Sequence, residues 1–428
     1  MPLRFAKTLV IAAVLLAPDY YVVAPELRVS YLAMLLAVLL FLGDVLLLHD
    51  RPVFLSKETL RVVMWAFALL FYVFVTDAAR GNADAAIRNF LPGLMIPVLL
   101  IVFEYRSEEY PLRKVLQTVF FVSVLFGVLQ VLGVVGNLTT LAPGFWILKS
   151  DQIVLEASLQ GLRITGATTN TIGFALQLGF FIILAYSTFR DSPSWKTGGW
   201  LALLGSLVMF TQTRSLIYGL VPSVVLVSVL FSKQRVKKVL LSLVVMLLLV
   251  GALALGTSAI ERAFPRLYDP FDLTVMQRIQ TNVYAAVGVW SVSPIFGVPR
   301  DSVASVVFAG LSAGRLPIGD VLIVNTTNHN QLGFYFRYYG LVGLAMLLIL
   351  YWAAFRKVMV ASSPGVRLML LSMLLFEAQY SMLHNNKLVN SPVTWILLSM
   401  AVSVALDKGS SSEASPTEDE AGAIAIAD

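Results

Sequence analysis

One polar segment of the chain, at about residues 258–330, carries the residue types best suited to chemistry. It ends in the sequence Asn-Thr-Thr-Asn-His-Asn, in which Asn328 and Asn330 flank His329. Imidazole titrates near neutral pH and can take a proton from a hydroxyl group, which is the task of a general base in glycosyl or acyl transfer. A lone histidine more often has a structural role, and we assign that role to His49. His329 differs because it lies between two amides in an arginine-rich segment, so we predict that it is catalytic.

Arginines in this segment and in two earlier turns suggest an anionic substrate, because a guanidinium offers a planar fork of donors that suits phosphate. Arg214 lies in a polar turn, at residues 211–215, that divides a long apolar stretch. Arg163 precedes polar residues that would cap a helix. Arg278 lies in a segment whose apolar spacing predicts an amphipathic helix on the membrane surface. Each arginine also has a simpler interpretation, since Arg214 and Arg278 would equally anchor to lipid headgroups.

The composition excludes a water-soluble protein of this length. Of the 428 residues, 58% are apolar and 13% are charged, and the mean hydropathy is +0.81. Apolar runs of about 17 to 25 residues recur, which is the length that a helix needs to cross a bilayer. The runs are continuous rather than alternating, so they favour helices over a barrel. We therefore predict an all-α fold, a polytopic transmembrane helical bundle.

The apolar runs predict about twelve helices, with one long periplasmic loop that contains short amphipathic helices. Residues 1–407 would form the membrane domain, and residues 408–428 are polar and low in complexity, which predicts a disordered cytoplasmic tail. We find no internal repeat. The predicted spans are approximately residues 7–24, 28–48, 60–77, 86–103, 115–137, 168–189, 198–213, 215–232, 239–257, 331–355, 368–383 and 390–406.

The distribution of basic residues predicts the orientation of these spans. Of the 31 Lys and Arg residues, 18 fall on the side that holds the N-terminus. Short loops rich in Lys and Arg stay in the cytoplasm, whereas long loops cross regardless of charge. Both termini are therefore predicted to be cytoplasmic, with residues 138–167 and 258–330 outside. A short outer loop should be poor in positive charge, which is why we favour anion binding for Arg214.

Several reaction classes lack their motifs in this sequence. There is no cysteine, so disulfides and thiolate metal sites are excluded. There is no His-Glu-x-x-His, no Walker loop and no Gly-x-Ser-x-Gly. Ionisable residues within the predicted spans are few, and we single out Asp44 and Glu377, which favour a carrier only weakly. The net charge of +6 reports cytoplasmic loops, so we expect no nucleic-acid partner.

The residues around His329 resemble the signature of a known family. His329 and Asn330 are followed, after nine residues, by Gly340-x-x-Gly343. This pattern resembles the signature of bacterial O-antigen ligases, which O-antigen polymerases share in looser form. The segment 211–215, Thr-Gln-Thr-Arg-Ser, resembles a Thr-x-Ser/Thr-Arg-Ser/Gly element of the same superfamily.

Two further segments are similar to elements of this superfamily. Arg163 begins an Arg-x-Gly-like entry that is followed by Asn and Gly in the next predicted helix. Arg278 is followed by the turn at residues 294–297, Pro-Ile-Phe-Gly, which is similar to a Pro-x-Phe/Tyr-Gly turn of the family. The resemblance covers about residues 115–400, with its segments in the family order.

The resemblance implies a membrane glycosyltransferase of the bacterial inner membrane with an outward-facing active site. Members use a glycan carried on undecaprenyl diphosphate as donor and need neither metal nor other cofactor. In that picture Arg214, Arg278 and Arg163 bind the diphosphate, and His329 handles the proton of the acceptor hydroxyl. By the same resemblance, the supporting residues are Asn328, Asn330, Gly340 and Gly343.

The resemblance leaves polymerase and ligase open. The spacing after His329 resembles that of a ligase, which transfers the finished glycan to lipid A core. The spacing from Arg163 to Gly179 resembles an arginine pattern of polymerases, which join lipid-linked repeat units. We predict a polymerase that acts in one pathway with a flippase and a chain-length regulator. A lipid-linked oligosaccharide flippase is a weaker alternative, because we see neither two related halves nor a charged cavity lining.

Overall fold

The computed structural model describes residues 2–16, 21–24, 27–47, 55–136, 147–148, 164–168, 171–230, 273–299, 302, 330–361, 363–383, 388 and 391–401. Within these ranges the chain is predominantly helical, with twelve α-helices. They are α1 (Pro2–Leu16), α2 (Val29–Leu47), α3 (Lys57–Ala79), α4 (Ala83–Glu104), α5 (Leu112–Val131), α6 (Thr171–Asp191), α7 (Trp195–Thr211), α8 (Arg214–Leu230), α9 (Leu273–Val292), α10 (Gln331–Val360), α11 (Pro364–Leu383) and α12 (Pro392–Leu398).

Eleven of the twelve predicted spans overlap one of these helices, and the span at residues 239–257 lies outside the described residues. Among the helices that the structure describes, five are long and apolar enough to cross a membrane: α2, α3, α5, α6 and α10. The helical class predicted from the sequence is thus confirmed, and the five apolar helices of spanning length support a membrane protein. The number of crossings and their orientation stay predictions.

The first predicted span, at residues 7–24, is wrong in its second half. Helix α1 ends at Leu16, and Tyr21–Ala24 form a strand, β1. Pro18 disfavours continuation of a helix, and the aromatic and β-branched residues that follow it favour extended backbone. Strand β1 pairs antiparallel with β2 (Leu27–Arg28) and with β3 (Ile147–Leu148) in a small sheet of order β2-β1-β3. The fold is therefore helical with one small sheet.

The predicted loop at residues 258–330 contains one long helix among its described residues. Helix α9 has 20 residues, longer than the short amphipathic helices that we predicted, and it packs against α10. The side chains of Trp290 in α9 and Phe336 in α10 lie with ring centroids 6.3 Å apart. Residues 258–272 of this segment lie outside the described ranges.

The helices are arranged so that the bundle has two chemically different ends. At one end Lys357 of α10 forms an ion pair with Glu104 of α4, and it donates to Thr59 of α3 at 2.7 Å. Lys7 of α1 lies at the same end and donates to the carbonyl of Tyr105 at 2.5 Å. We call this the lysine end.

The opposite end collects the chain segments that the sequence analysis singled out. It holds the end of α3 with Arg80, the end of α5 with Gln130, and the start of α8 with Arg214. Helix α11 runs antiparallel to α6, because Tyr380 bonds to Ile172 near the start of α6 while Met369 contacts Ser187 near its end. The carboxyl end of α11 therefore lies beside the start of α6. We call this the arginine end.

Close packing between α6, α8 and α11 depends on two glycines. The ring of Phe376 in α11 lies between Gly179 of α6 and Gly219 of α8. A Cβ atom at Gly179 would lie 2.2 Å from that ring, so a larger residue would push the helices apart. Phe180 adds an edge-to-face contact with Phe376, with the centroids 5.6 Å apart. Gly179 thus has a packing role.

Candidate functional site

Helix α10 is interrupted at Gly340, whose φ is +64° and ψ is −160°. The hydroxyl of Tyr351 lies 2.9 Å from the side-chain oxygen of Gln331, although twenty residues of continuous helix would separate them by about 30 Å. Residues 331–339 must therefore fold back along residues 341–360. We call residues 331–339 the half-helix and residues 331–360 the hairpin. The prediction of one continuous helix at residues 331–355 is wrong in this respect.

The two glycines of the predicted Gly340-x-x-Gly343 element make the hairpin possible. Only glycine adopts the backbone conformation of residue 340 without strain. A Cβ atom at Gly343 would lie 2.4 Å from the Cβ of Tyr339, so Gly343 allows the half-helix to approach the rest of α10. Both glycines thus have a structural reason for their spacing.

The turn at residues 294–297 packs directly on the interruption at Gly340. A Cβ atom on Gly340 would lie 2.1 Å from the carbonyl oxygen of Ile295, and one on Gly297 would lie 2.5 Å from the carbonyl carbon of Tyr338. The amide of Leu341 donates to the carbonyl of Pro294 at 2.8 Å. These backbone bonds replace those that the broken helix loses. Two segments that the sequence analysis noted separately therefore form one unit.

Arg80 donates hydrogen bonds to both parts of this unit at the arginine end. Its Nη1 atom donates to the carbonyl of Tyr338 at 2.5 Å, and its Nη2 atom donates to the carbonyl of Phe296 at 2.8 Å. Further bonds run from Nη1 to Val298 at 3.3 Å and from Nη2 to Gly297 at 3.1 Å. One guanidinium thus joins the half-helix to the turn. The sequence analysis missed Arg80, although the argument used for Arg214, a basic residue in a short outer loop, applies to it equally.

Helix α3 supports the hairpin through two tyrosines as well. The hydroxyl of Tyr72 donates to the carbonyl of Tyr339 at 3.0 Å, and the hydroxyl of Tyr339 donates to a carboxylate oxygen of Asp77 at 3.1 Å. Tyr339 is fully buried and Asp77 is 8% exposed. Together with Arg80, these bonds fix the orientation of the half-helix relative to α3. Residues 294–298 and Arg80 contact residues 337–342. We call this contact the second junction, to distinguish it from a first junction at the ends of α5 and α7.

A first junction joins the ends of α5 and α7 through the turn at residues 164–168. The side-chain oxygen of Gln130 accepts from the amides of Thr165 and Gly166, each at 2.9 Å. The amide of Ile164 donates to the carbonyl of Phe210 at 3.4 Å. Gly166 has a φ of +56°, and a Cβ atom there would meet the ring of Phe174 at 2.2 Å. The segment that follows Arg163 therefore lies beside the turn that precedes Arg214.

The structure shows the predicted division of the apolar stretch around Arg214. Helix α7 ends at Thr211, Gln212 adopts a left-handed conformation with φ of +49°, and α8 begins at Arg214. Thr211 and Thr213 are buried, and the Thr213 amide donates to the Thr211 hydroxyl at 3.2 Å. Arg214 is partly buried. The turn is thus a packed connection and not a solvated loop.

Helix α11 contacts both the start of α6, beside the first junction, and the hairpin. Near the first junction, the hydroxyl of Tyr380 donates to the carbonyl of Ile172 at 2.6 Å. Near the half-helix, Glu377 is fully buried and accepts hydrogen bonds from the hydroxyls of Tyr351, at 2.8 Å, and Ser381, at 2.7 Å. Glu377 is thus held by two donors in the interior.

A polar chain leads from Glu377 back to the start of the half-helix. The Tyr351 hydroxyl has one proton, yet it lies within bonding distance of oxygen atoms on both Glu377 and Gln331. The amide nitrogen of Gln331 has no partner among the described residues. Rotating that amide by 180° lets Gln331 donate to Tyr351 and Tyr351 donate to Glu377, so every bond is satisfied. The chain ends one residue from Asn330 and two from His329.

Arg337 is a second residue that the sequence analysis missed. It lies in the half-helix and is 1% exposed, and none of its three side-chain nitrogens has a hydrogen-bond partner among the residues that the structure describes. The centre of the Tyr338 ring lies 5.1 Å from its guanidinium carbon. A charged residue within a predicted apolar span is the signal that points to it, and it belongs beside Asp44 and Glu377 as an intramembrane charge.

Only some of the predicted site residues lie in the described part of the chain. His329, Asn328 and Arg163 lie outside it, and of Arg278 only the helical backbone in α9 is described. Asn330 caps the half-helix, because its side-chain oxygen accepts from the amide of Gly333 at 3.0 Å. The roles assigned to these residues in binding and catalysis stay predictions.

Comparison with known proteins leaves the family open: the chain matches no family model and is not measurably similar to any curated protein. Among the described residues, no group of three or more His, Cys, Asp or Glu side chains is placed to hold a metal ion.

Proposed function

We propose that the chain is a membrane glycosyltransferase that polymerises glycan repeat units carried on undecaprenyl diphosphate, at the outer face of the bacterial inner membrane. One observation carries the proposal. Four sequence segments that resemble elements of O-antigen polymerases and ligases meet in two junctions at the same end of the bundle. Since these segments are separated by up to about 180 residues, their convergence supports a shared site.

The proposed reaction is a displacement at the first carbon of the donor glycan. The acceptor hydroxyl oxygen forms a bond to that carbon, and the bond from that carbon to the diphosphate oxygen breaks. The hydroxyl proton passes to His329, and the electron pair of the broken bond leaves with the diphosphate. Arg214, Arg278 and Arg163 would bind the diphosphate and stabilise its developing charge.

The proposed orientation places the arginine end in the periplasm and the lysine end in the cytoplasm. Most basic residues in the short connections that the structure describes lie at the lysine end, among them Arg106, Arg113 and Arg190, which supports this orientation through the positive-inside bias. The hydroxyl acceptor and the lipid-linked donor would then both approach from the outer leaflet. Membrane lipid is the other partner that this orientation requires.

The proposal is tested with purified protein reconstituted in vesicles with an undecaprenyl-diphosphate-linked repeat unit. We expect a ladder of products that differ by one repeat unit, without added metal or ATP. His329→Ala should reduce the rate by about 10²–10⁴-fold, because a positioned general base contributes that much. His49→Ala is the matched control and should retain the parental rate.

Two outcomes would redirect or reject the proposal. Addition of lipid A core to the same vesicles distinguishes the alternatives, since a ligase would transfer the glycan to that acceptor and form no ladder. His329→Ala at the parental rate would exclude His329 as the base. In that case Glu377, which is joined through Tyr351 to the start of the half-helix, is the next candidate.

A further inference from the structure

Arg337 is a buried cation without a compensating anion in the part of the chain that the structure describes. Arginine stays protonated in proteins, so burial cannot be relieved by loss of a proton. A buried charge is costly to the folded state unless it is paired and hydrogen-bonded. The ring of Tyr338 stabilises the guanidinium only in part, because it accepts none of the hydrogen bonds that the five N–H donors could make, and no other described residue accepts them.

The buried carboxylates near the hairpin are engaged elsewhere. Glu377 accepts from Tyr351 and Ser381, and Asp77 accepts from Tyr339. Helical spacing places Arg337 about 160° to 200° around the half-helix from Tyr335 and Tyr339, the residues that pack on the rest of α10. Arg337 therefore lies on the face of the half-helix opposite the one that packs on the rest of α10, which carries Tyr351, the hydrogen-bond partner of Glu377.

The backbone around Arg337 is held by hydrogen bonds, whereas its side chain has no hydrogen-bond partner among the described residues. The carbonyl of Arg337 accepts from the amide of Val298 at 2.9 Å, and Arg80 binds the next carbonyl, that of Tyr338. Rigid placement of an uncompensated donor group is the arrangement that anion binding requires. The same half-helix begins directly after Asn330, beside the proposed catalytic residue.

We infer that Arg337 binds a phosphate group of the ligand, through the planar fork of its guanidinium, from within the half-helix. The inference rests on the proposed function for the identity of the ligand, a polyprenyl diphosphate. It adds a binding residue on a different element from Arg214 and Arg278. It also explains why the charge is tolerated, because the ligand supplies the missing acceptors when it binds.

The inference predicts opposite effects of one substitution on the free and the bound protein. Arg337→Met keeps much of the side-chain volume and removes the charge. We expect the thermal unfolding midpoint of the ligand-free protein in detergent to rise by about 2–4 °C. Farnesyl diphosphate should no longer stabilise this variant, because its affinity for farnesyl diphosphate should be at least about 30-fold lower than that of the parent.

Three comparisons make this test specific. Farnesol and inorganic pyrophosphate separate the contribution of the lipid from that of the phosphate groups. The parent should be stabilised by farnesyl diphosphate and by inorganic pyrophosphate, but not by farnesol. Arg337→Lys keeps the charge without the fork, so it should retain only part of the response. Arg4→Met, an exposed arginine at the lysine end, should respond as the parent does.

The inference is overturned if Arg337→Met lowers the midpoint of the ligand-free protein, since the arginine would then be a structural group. It is also overturned if that variant keeps the full response to farnesyl diphosphate, or if the parent shows none. Failure of the proposed function looks different. A parent that binds farnesyl diphosphate through Arg337 but makes no glycan product would keep the inference and reject the glycosyltransferase.

Discussion

The two ends of the bundle treat their buried cations differently. At the lysine end each buried lysine has a partner: Lys357 pairs with Glu104, and Lys7 donates to the carbonyl of Tyr105 and lies 5.4 Å from the ring of Tyr110. At the arginine end the partly buried Arg80 donates to four backbone carbonyls, and the buried Arg337 has no hydrogen-bond partner among the described residues. Charges at the first end are compensated within the protein, so they serve the fold. At the second end Arg337 is a buried charge that no described residue compensates.

The largest expected effect is on cysteine labelling, which reports the end of the bundle that faces outward. Because the chain has no cysteine, an introduced cysteine is the single site for the label. Val134 lies at the arginine end and Ser192 at the lysine end, and both are exposed. In intact cells whose outer membrane has been made permeable, a membrane-impermeant maleimide should label Val134→Cys fully. Ser192→Cys should react only after the inner membrane is opened. The reverse pattern would place the arginine end in the cytoplasm and reject an outward-facing site.

The second prediction concerns the compensated pair at the lysine end. Lys357→Met leaves Glu104 buried beside Thr59 alone, and removal of one member of a buried pair costs about 3–5 kcal/mol. We expect a marked fall in the unfolding midpoint in detergent. Glu104→Gln added to Lys357→Met should recover most of the loss, because no unpaired charge remains.

Arg337→Met and Lys357→Met together test the contrast between the two ends. Arg337→Met at the arginine end is expected to raise the midpoint, whereas Lys357→Met at the lysine end is expected to lower it. A neutral result for Lys357→Met would mean that the ion pair does not stabilise the fold, and the contrast between the ends would then lose its basis.

Much of the helical framework could be predicted from the sequence because hydropathy acts over whole helices. The division at Arg214 was also visible, since five polar residues interrupt an apolar stretch there. The strand Tyr21–Ala24 was not, because a short apolar run gives the same hydropathy as helix or strand. Its residue types and the preceding Pro18 were the better guide.

The geometry of the candidate site was much harder to foresee. The hairpin at Gly340 has apolar residues on both sides, and an isolated glycine is tolerated within a helix, so no local signal marks the reversal. The contact between Gly297 and Gly340 joins residues that are far apart in the sequence, and it is a property of tertiary packing. The positions of Arg80, in a short polar turn, and of Arg337, within an apolar run, were visible in the sequence, but the bonds of Arg80 and the burial of Arg337 were not, because both depend on tertiary packing.

The smallest expected effect is the difference in stability between two arginine variants, one from each end of the bundle. Arg80→Lys keeps a positive charge but cannot reach four carbonyls of the second junction at once, so we expect a loss of about 1–3 kcal/mol in stability. Arg61→Lys at the lysine end alters one ion pair with Glu58, on a side chain that is 39% exposed, and exposed pairs contribute about 0–1 kcal/mol. The two midpoints should therefore differ by a few degrees, with Arg80→Lys the lower. Glycan transfer should fall in Arg80→Lys alone, because the half-helix that follows His329 depends on the second junction for its position. Equal midpoints and equal transfer rates for the two variants would show that the arginine end holds its hairpin without Arg80, and that the packing of Gly297 against Gly340 is sufficient.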